Sequence, residues 1–181
     1  MSEEKELTVD EVRLEAASES EIVDSGTLVQ LIVFKLGNEE YALHIDQIKE
    51  VVLTPGIAKI PQTPEYIMGV ANIRGNVIAI VDLEKKFNLL NEGGVKDKNH
   101  GNYTLVVESN SFKIGILVKE VPNTLTISES NIDKSSTVLQ YTNLDEECIK
   151  GIVKSGESMI ILIDMIKMME SEDLNKLGSI K

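Results

Sequence analysis

The stretch that decides the fold is Ile67 to Phe87, IMGVANIRGNVIAIVDLEKKF. At its centre Val77, Ile78, Ala79, Ile80 and Val81 form a run rich in β-branched residues, bounded by Gly75-Asn76 on one side and Asp82 on the other. That length and composition predict a buried strand. Just upstream, Asn72 to Asn76 carries the Asn and Gly residues that tolerate positive φ, so a tight turn closes a hairpin between Gly69-Val70-Ala71 and the buried run. Arg74 then sits beside that turn, at the end of a rigid strand pair. A guanidinium cannot be buried without a partner, so Arg74 is expected to face solvent, a carboxylate or another protein.

Working outward, the chain repeats itself. A shift of 82 residues places Gly69 on Gly151, Ile78 on Ile160, Val81 on Ile163, Asp82 on Asp164 and Leu83 on Met165 without a gap. Upstream, Tyr41, Leu43 and Ile45 match Phe112, Ile114 and Ile116, and Lys49-Glu50-Val51 matches Lys119-Glu120-Val121. Two copies of one small β unit are implied, and a unit of that size buries too little core alone, so the copies must share apolar faces. One position breaks the repeat. Where the first copy has Ile73-Arg74-Gly75 the second has Ser155-Gly156-Glu157, so the unit folds without the Arg. Arg74 therefore points to a task beyond the fold, with an ion pair to Glu50 or another carboxylate compatible with that task.

The remaining patterns fill in the elements. Leu28 to Leu36 is apolar enough for a strand, Gly37 to Glu40 turns the chain, and Tyr41, Leu43 and Ile45 alternate onto one face. Ile45, Ile48 and Val52 then fall at helical spacing, which predicts a short helix ended by Pro55-Gly56. Asp82 is placed to cap a second short helix through Leu83, Phe87 and Leu90. Residues 91–102, full of Asn, Gly, Lys and Asp, read as the loop between the halves. Met165, Met168, Met169 and Leu177 suggest a C-terminal helix whose Met stripe packs on the core. The division expected is an acidic flexible tail over residues 1–27, a working domain over 28–170, and a helix end or tail over 171–181; Val9, Val12 and Leu14 leave open a docking peptide in the first of these.

Composition narrows the function. A formal net charge of −12 without any Lys/Arg run argues against nucleic acid and against anionic membrane surfaces. The single Cys148 excludes an intramolecular disulfide and a Cys-based metal cluster, and reads as a small buried hydrophobe. His44, in the alternating stretch, reads as a strand residue with no second ligand at metal spacing, and His100 is the only other histidine. Phosphate-loop, H-E-x-x-H and G-x-S-x-G patterns are absent, so no catalytic residue, cofactor site or metal site is assigned. The acidic start of the chain is no signal peptide and no apolar run spans a bilayer, which predicts a cytoplasmic protein.

Gly69-Val-x-Asn-Ile-Arg-Gly-x-Val-Ile-x-Ile-Val-Asp-Leu83 resembles the signature of the CheW family of bacterial chemotaxis coupling proteins. Leu31-Ile-Val-Phe-x-Leu-Gly-Asn-Glu-Glu-Tyr-Ala-Leu43 and Ile48-Lys-Glu-Val51 resemble that family's first hairpin and following helix. The likeness runs from about residue 28 to about 170. Ile73 stands where the family usually has Leu, and Ala79 where it often has Pro; neither change removes a charge or a turn glycine. The resemblance implies a mainly β fold of two packed five-stranded, SH3-like barrels with a few short helices and a C-terminal helix. It implies a non-enzymatic adaptor, monomeric outside the array, that couples the cytoplasmic tips of chemoreceptors to the regulatory domain of the histidine kinase CheA. Recruitment to membrane-bound arrays would then run through the receptors, without direct membrane contact. Carried over residue by residue, receptor binding falls on Ile48, Glu50, Asn72 and Arg74, and kinase binding on Gly69. The competing expectation is a small-ligand sensor or enzyme that uses the groove between the barrels as its pocket.

Overall fold

The computed structural model describes residues 26–89, 101–135 and 148–170. The expectations for residues 1–25, Leu90, most of the 91–102 loop, His100, Leu177 and the segment 171–181 lie outside the described residues. The first repeat supplies β1 (Leu28–Leu36), β2 (Glu39–His44), β3 (Ile48–Leu53), β4 (Ile67–Ile73), β5 (Asn76–Val81) and a one-turn helix α1 (Leu83–Lys86). The second supplies β6 (Tyr103–Glu108), β7 (Lys113–Val118), β8 (Asn123–Ser128), β9 (Ile132–Asp133), β10 (Ile149–Ser155), β11 (Ser158–Ile163) and α2 (Met165–Glu170).

Two sheets form, and each draws on both repeats. One has the order β3-β6-β7-β5-β4 and the other β8-β1-β2-β11-β10-β9. The leading hairpin of each repeat has therefore crossed into the other repeat's sheet, where it is held by parallel pairing of β7 with β5 and of β2 with β11. The cause lies in the composition of the hairpins. Along β1, Leu31 and Val33 enter the core of one sheet, whereas Ile32, Phe34 and Leu36 enter a core shared by both. Strands apolar on both faces need cover on both, and central placement between two cores supplies it.

Each sheet wraps into a barrel because the chain carries one edge to the other. After β3, at one edge, it reaches Ala58 and exchanges hydrogen bonds with Val70 of β4, at the other edge, at 2.8 and 2.9 Å. After β8, a single 3-10 turn over Glu129–Asn131 leads to β9, which pairs with β10. We call the barrel with β4 and β5 the first and the barrel with β10 and β11 the second. Between them lies the shared core, which includes Phe34, Tyr41, Leu105, Ile116, Ile163 and the three methionines Met165, Met168 and Met169 of α2. Cys148 is buried in that core.

Buried and half-buried polar side chains fasten the connections. Glu84 accepts the Gly37 N–H at 2.9 Å and pairs with Lys119 at 3.3 Å, tying the β1–β2 turn to α1 and the end of β7. Asp82 caps α1 through the Lys85 N–H. Asp164 does the same for α2 through Ile166 and Lys167.

Three expectations change. The residues read as a helix from Ile45 form only a 3-10 turn, Ile45–Gln47, and Ile48–Leu53 is strand β3. Its alternation was masked because the outward positions Val51 and Leu53 are themselves apolar and exposed. Second, β2 and β7 correspond on the anticipated face but two residues out of step: Tyr41 faces Ile161 and Ile114 faces Ala79, so Tyr41 answers to Ile114 and Leu43 to Ile116. Lys119 and Glu120 lie between strands and do not match Lys49 and Glu50. Third, the Val77–Val81 run is buried at Ile78, Ile80 and Val81, but Val77 points outward and is 74% exposed.

Candidate protein-interaction site

The hairpin β4–β5 turns on two residues, Arg74 and Gly75, with φ of +51° and +83°. Positive φ at both central positions marks the turn whose twist matches antiparallel strands, and an L-residue other than Gly, Asn or Asp occupies it at a penalty. The Asn72 carboxamide oxygen accepts the Gly75 N–H at 2.9 Å and stiffens the loop. Asn72 faces Val77 across the hairpin, so an amide, an exposed valine and the arginine share the tip.

Glu50 reaches this tip from β3. Its Oε2 lies 2.5 Å from Arg74 Nε, with the Arg74 side chain 74% exposed and that of Glu50 20% exposed. The pair ties the hairpin tip to β3, while the terminal nitrogens of the guanidinium make no hydrogen bond among the described residues and can meet an incoming acceptor. In the second barrel the pair has no equivalent. Glu50 faces Val106 and Asn123 faces Val33, which are matching positions on the exchanged hairpins, so Asn123 stands in place of Glu50. Gly156, at φ +60°, stands in place of Arg74.

Of the residues singled out from sequence, Glu50, Asn72 and Arg74 come together. Ile48 precedes a bulge in the β3–β6 ladder and packs, half-buried, on the shared core, set apart from the tip. Gly69 lies within β4, buried, at φ +138°; a Cβ there would sit 2.1 Å from the Ala58 carbonyl oxygen. It lets the closing segment of the first barrel cross over β4, and Gly151 meets the Asp133 carbonyl in the same way in the second. Sequence reasoning missed the outward Val51, Leu53 and Val77; the signal available was apolar residues at both parities of a strand. His44 lies half-buried in β2, and burial, with Lys150 as the second cause, holds its pKa below the usual histidine value. Among the described residues no cluster of His, Cys, Asp or Glu could hold a metal ion.

Comparison with known proteins agrees with this geometry. Residues 30–173 match the family model described as the CheW-like domain. The chain is 31% identical to the chemotaxis protein CheW of Treponema pallidum, over 83% of this chain and 88% of that one. It is 30% identical to the chemotaxis protein CheW of Helicobacter pylori, over 87% of this chain and 92% of that one. Among solved structures, the scaffolding protein TtCheW from Thermoanaerobacter tengcongensis superimposes with a TM-score of 0.68 at 33% identity, covering 81% of this chain and 91% of that one.

Proposed function

The chain belongs to the CheW-like family of chemotaxis coupling proteins, and from that premise we propose that it is the adaptor joining the cytoplasmic tips of chemoreceptors to the regulatory domain of the kinase CheA. The receptor surface is the β4–β5 tip with Glu50, Asn72 and Arg74, together with Ile48 on the same strand as Glu50. The kinase surface is the part of the first barrel around Gly69, where the glycine acts through the backbone it permits. The working unit is residues 28–170, a monomer outside the array, cytoplasmic, brought to the membrane by its receptors and doing no chemistry of its own. Among the described residues no helix is long and apolar enough to cross a membrane.

One observation carries the receptor assignment. Arg74 holds a conformation that suits glycine, mostly exposed, at a position its own repeat fills with Gly156. A charged side chain placed at such a tip, already oriented by Glu50, fits a surface that captures a partner. A small-ligand role is disfavoured because the space between the barrels is filled by the shared core.

Co-sedimentation of the full chain with a receptor cytoplasmic fragment and the kinase tests the proposal. Wild type should bring kinase down with receptor and raise kinase activity, and Arg74→Ala should do neither while still binding kinase alone. Full coupling by Arg74→Ala and Glu50→Ala would place the receptor surface elsewhere.

A further inference from the structure

Resting on the reading that a kinase surface lies around Gly69, we propose that this face is a cationic and apolar docking surface, built by Lys59, Lys85 and Lys86 around Met68 and Tyr66, that takes a carboxylate-bearing surface of the kinase regulatory domain. Gly69 is buried and offers no side chain, so whatever docks there must touch its outward neighbours. Lys59 follows Ala58 on the segment that crosses over Gly69 and is exposed. Lys85 places its Nζ 3.5 Å from Met68 Sδ, on the outward side of β4. Lys86 holds its Nζ 4.3 Å from the centre of the Tyr66 ring. The carboxylates nearest in the chain do not neutralise the group: Glu84 is buried and committed to the Gly37 N–H and Lys119, Asp82 is turned to cap α1 through the Lys85 N–H at 3.3 Å, and Glu65 is exposed beside Tyr66 without an ion pair to any of the three.

The matching face of the second barrel carries lysines too; Lys167, the counterpart of Lys85, is exposed and in no described ion pair, but the other two are committed. Lys134, the counterpart of Lys59, pairs with Glu129 at 3.7 Å, and Lys150, the counterpart of Met68, pairs with Asp164 at 3.6 Å. Lys35, Lys49, Lys113 and Lys119 are also in ion pairs. Lys59, Lys85 and Lys86 pair with no described carboxylate. Ammonium groups laid over a thioether and an aromatic ring keep their stems on apolar surface and their charge available. A partner that brings carboxylates to the rim and apolar groups to the centre satisfies both, and the charge would act mainly on the rate and selectivity of association. The chain's own residues 1–25, rich in Asp and Glu, are the competing occupant.

The test is the affinity of the kinase regulatory domain for the full chain and for the double variant Lys59→Glu/Lys85→Glu, at low and high salt, with melting and receptor binding measured alongside. The double variant should bind kinase about tenfold more weakly or worse at low salt, lose the salt dependence of wild type, and keep its melting and receptor affinity. Kinase affinity within about twofold of wild type would overturn the proposal. Met68→Asp then separates the two levels: if it abolishes kinase binding, the face is correct and the lysines are idle, and if it too binds normally, the kinase surface itself lies elsewhere. Kinase affinity that rises on deletion of residues 1–25 only while Lys59 and Lys85 are present would assign the lysines to that segment, and would equally overturn the proposal.

Discussion

At the tip of the first barrel Arg74 sits at φ +51° and is held by Glu50; at the tip of the second, Gly156 holds φ +60° and Asn123 replaces Glu50. The strands beneath are equivalent, the chain reverses over two residues in both, and each barrel is closed by a segment passing over a glycine. The scaffold therefore requires a left-handed residue at this point but no charge. Magnitudes show which side of the comparison is unusual. A non-glycine residue in this conformation costs about 1 kcal/mol. An exposed ion pair returns about 0–1 kcal/mol. Stability gives no reason for arginine here, whereas a central interface arginine can contribute on the order of 2 kcal/mol or more to binding.

The neighbouring positions differ in the same sense. Outward positions of β3 are Val51 and Leu53, with Leu53 73% exposed, whereas the counterparts on β8 are Thr124 and Thr126. One barrel thus presents an apolar and charged surface where the other presents hydroxyls. The features proposed for recognition are concentrated on one copy of a duplicated frame.

The largest expected effect probes what the barrels share. Gly69→Ala drives a Cβ into the Ala58 carbonyl and should destabilise by on the order of 3 kcal/mol or more. Gly151→Ala should cost less, because its backbone contact, the Asp133 carbonyl oxygen at 2.7 Å, is less close than the 2.1 Å at Gly69, and the Ile132 side chain at 2.6 Å can yield. Chemical denaturation of both variants checks the order, and the reverse order would mean that closure differs between the barrels. Next comes Arg74→Ala, which should weaken receptor binding by about 2 kcal/mol while stability changes by less than about 1 kcal/mol; titration against a receptor fragment decides it. Gly156→Arg imposes the first barrel's residue on the second without a matching Glu50. It should cost about 1 kcal/mol in stability and bring no receptor affinity; a gain in affinity would show that the tip alone suffices. The smallest effect is expected from deleting residues 1–25, which lack the apolar periodicity of a core segment. Melting should shift by no more than about 0.5 kcal/mol allows, and a loss of cooperative unfolding would show that the segment belongs to the fold.

Much of this was readable from local pattern. The β4–β5 turn, the Asp82 cap and the buried methionines of α2 each depend on a few adjacent residues whose chemistry admits little else. The exchange of hairpins was not readable, since pairing β7 with β5 rather than with its own repeat is settled by packing between segments far apart in the chain. Strand β3 was misread because Ile45, Ile48 and Val52 satisfy helical spacing, and the exposed Val51 and Leu53 hide the two-residue period. At the site, Arg74 could be singled out by comparison with its repeat, but the geometry of its pairing with Glu50 rests on a long-range approach of β3 to the tip. That Gly69 is a closure point became visible only with the Ala58 carbonyl in place.

Arg74→Gly tests the central claim most directly, because it gives the first barrel the residue of the second. The ion pair is lost and the left-handed strain is relieved, so stability should be unchanged or raised by up to about 1 kcal/mol. Receptor affinity should fall about tenfold or more. Denaturation and receptor titration of this one variant give both numbers. A more stable or equally stable protein that no longer binds receptor is the predicted result; a destabilised protein that binds receptor with wild-type affinity would show that Arg74 serves the fold.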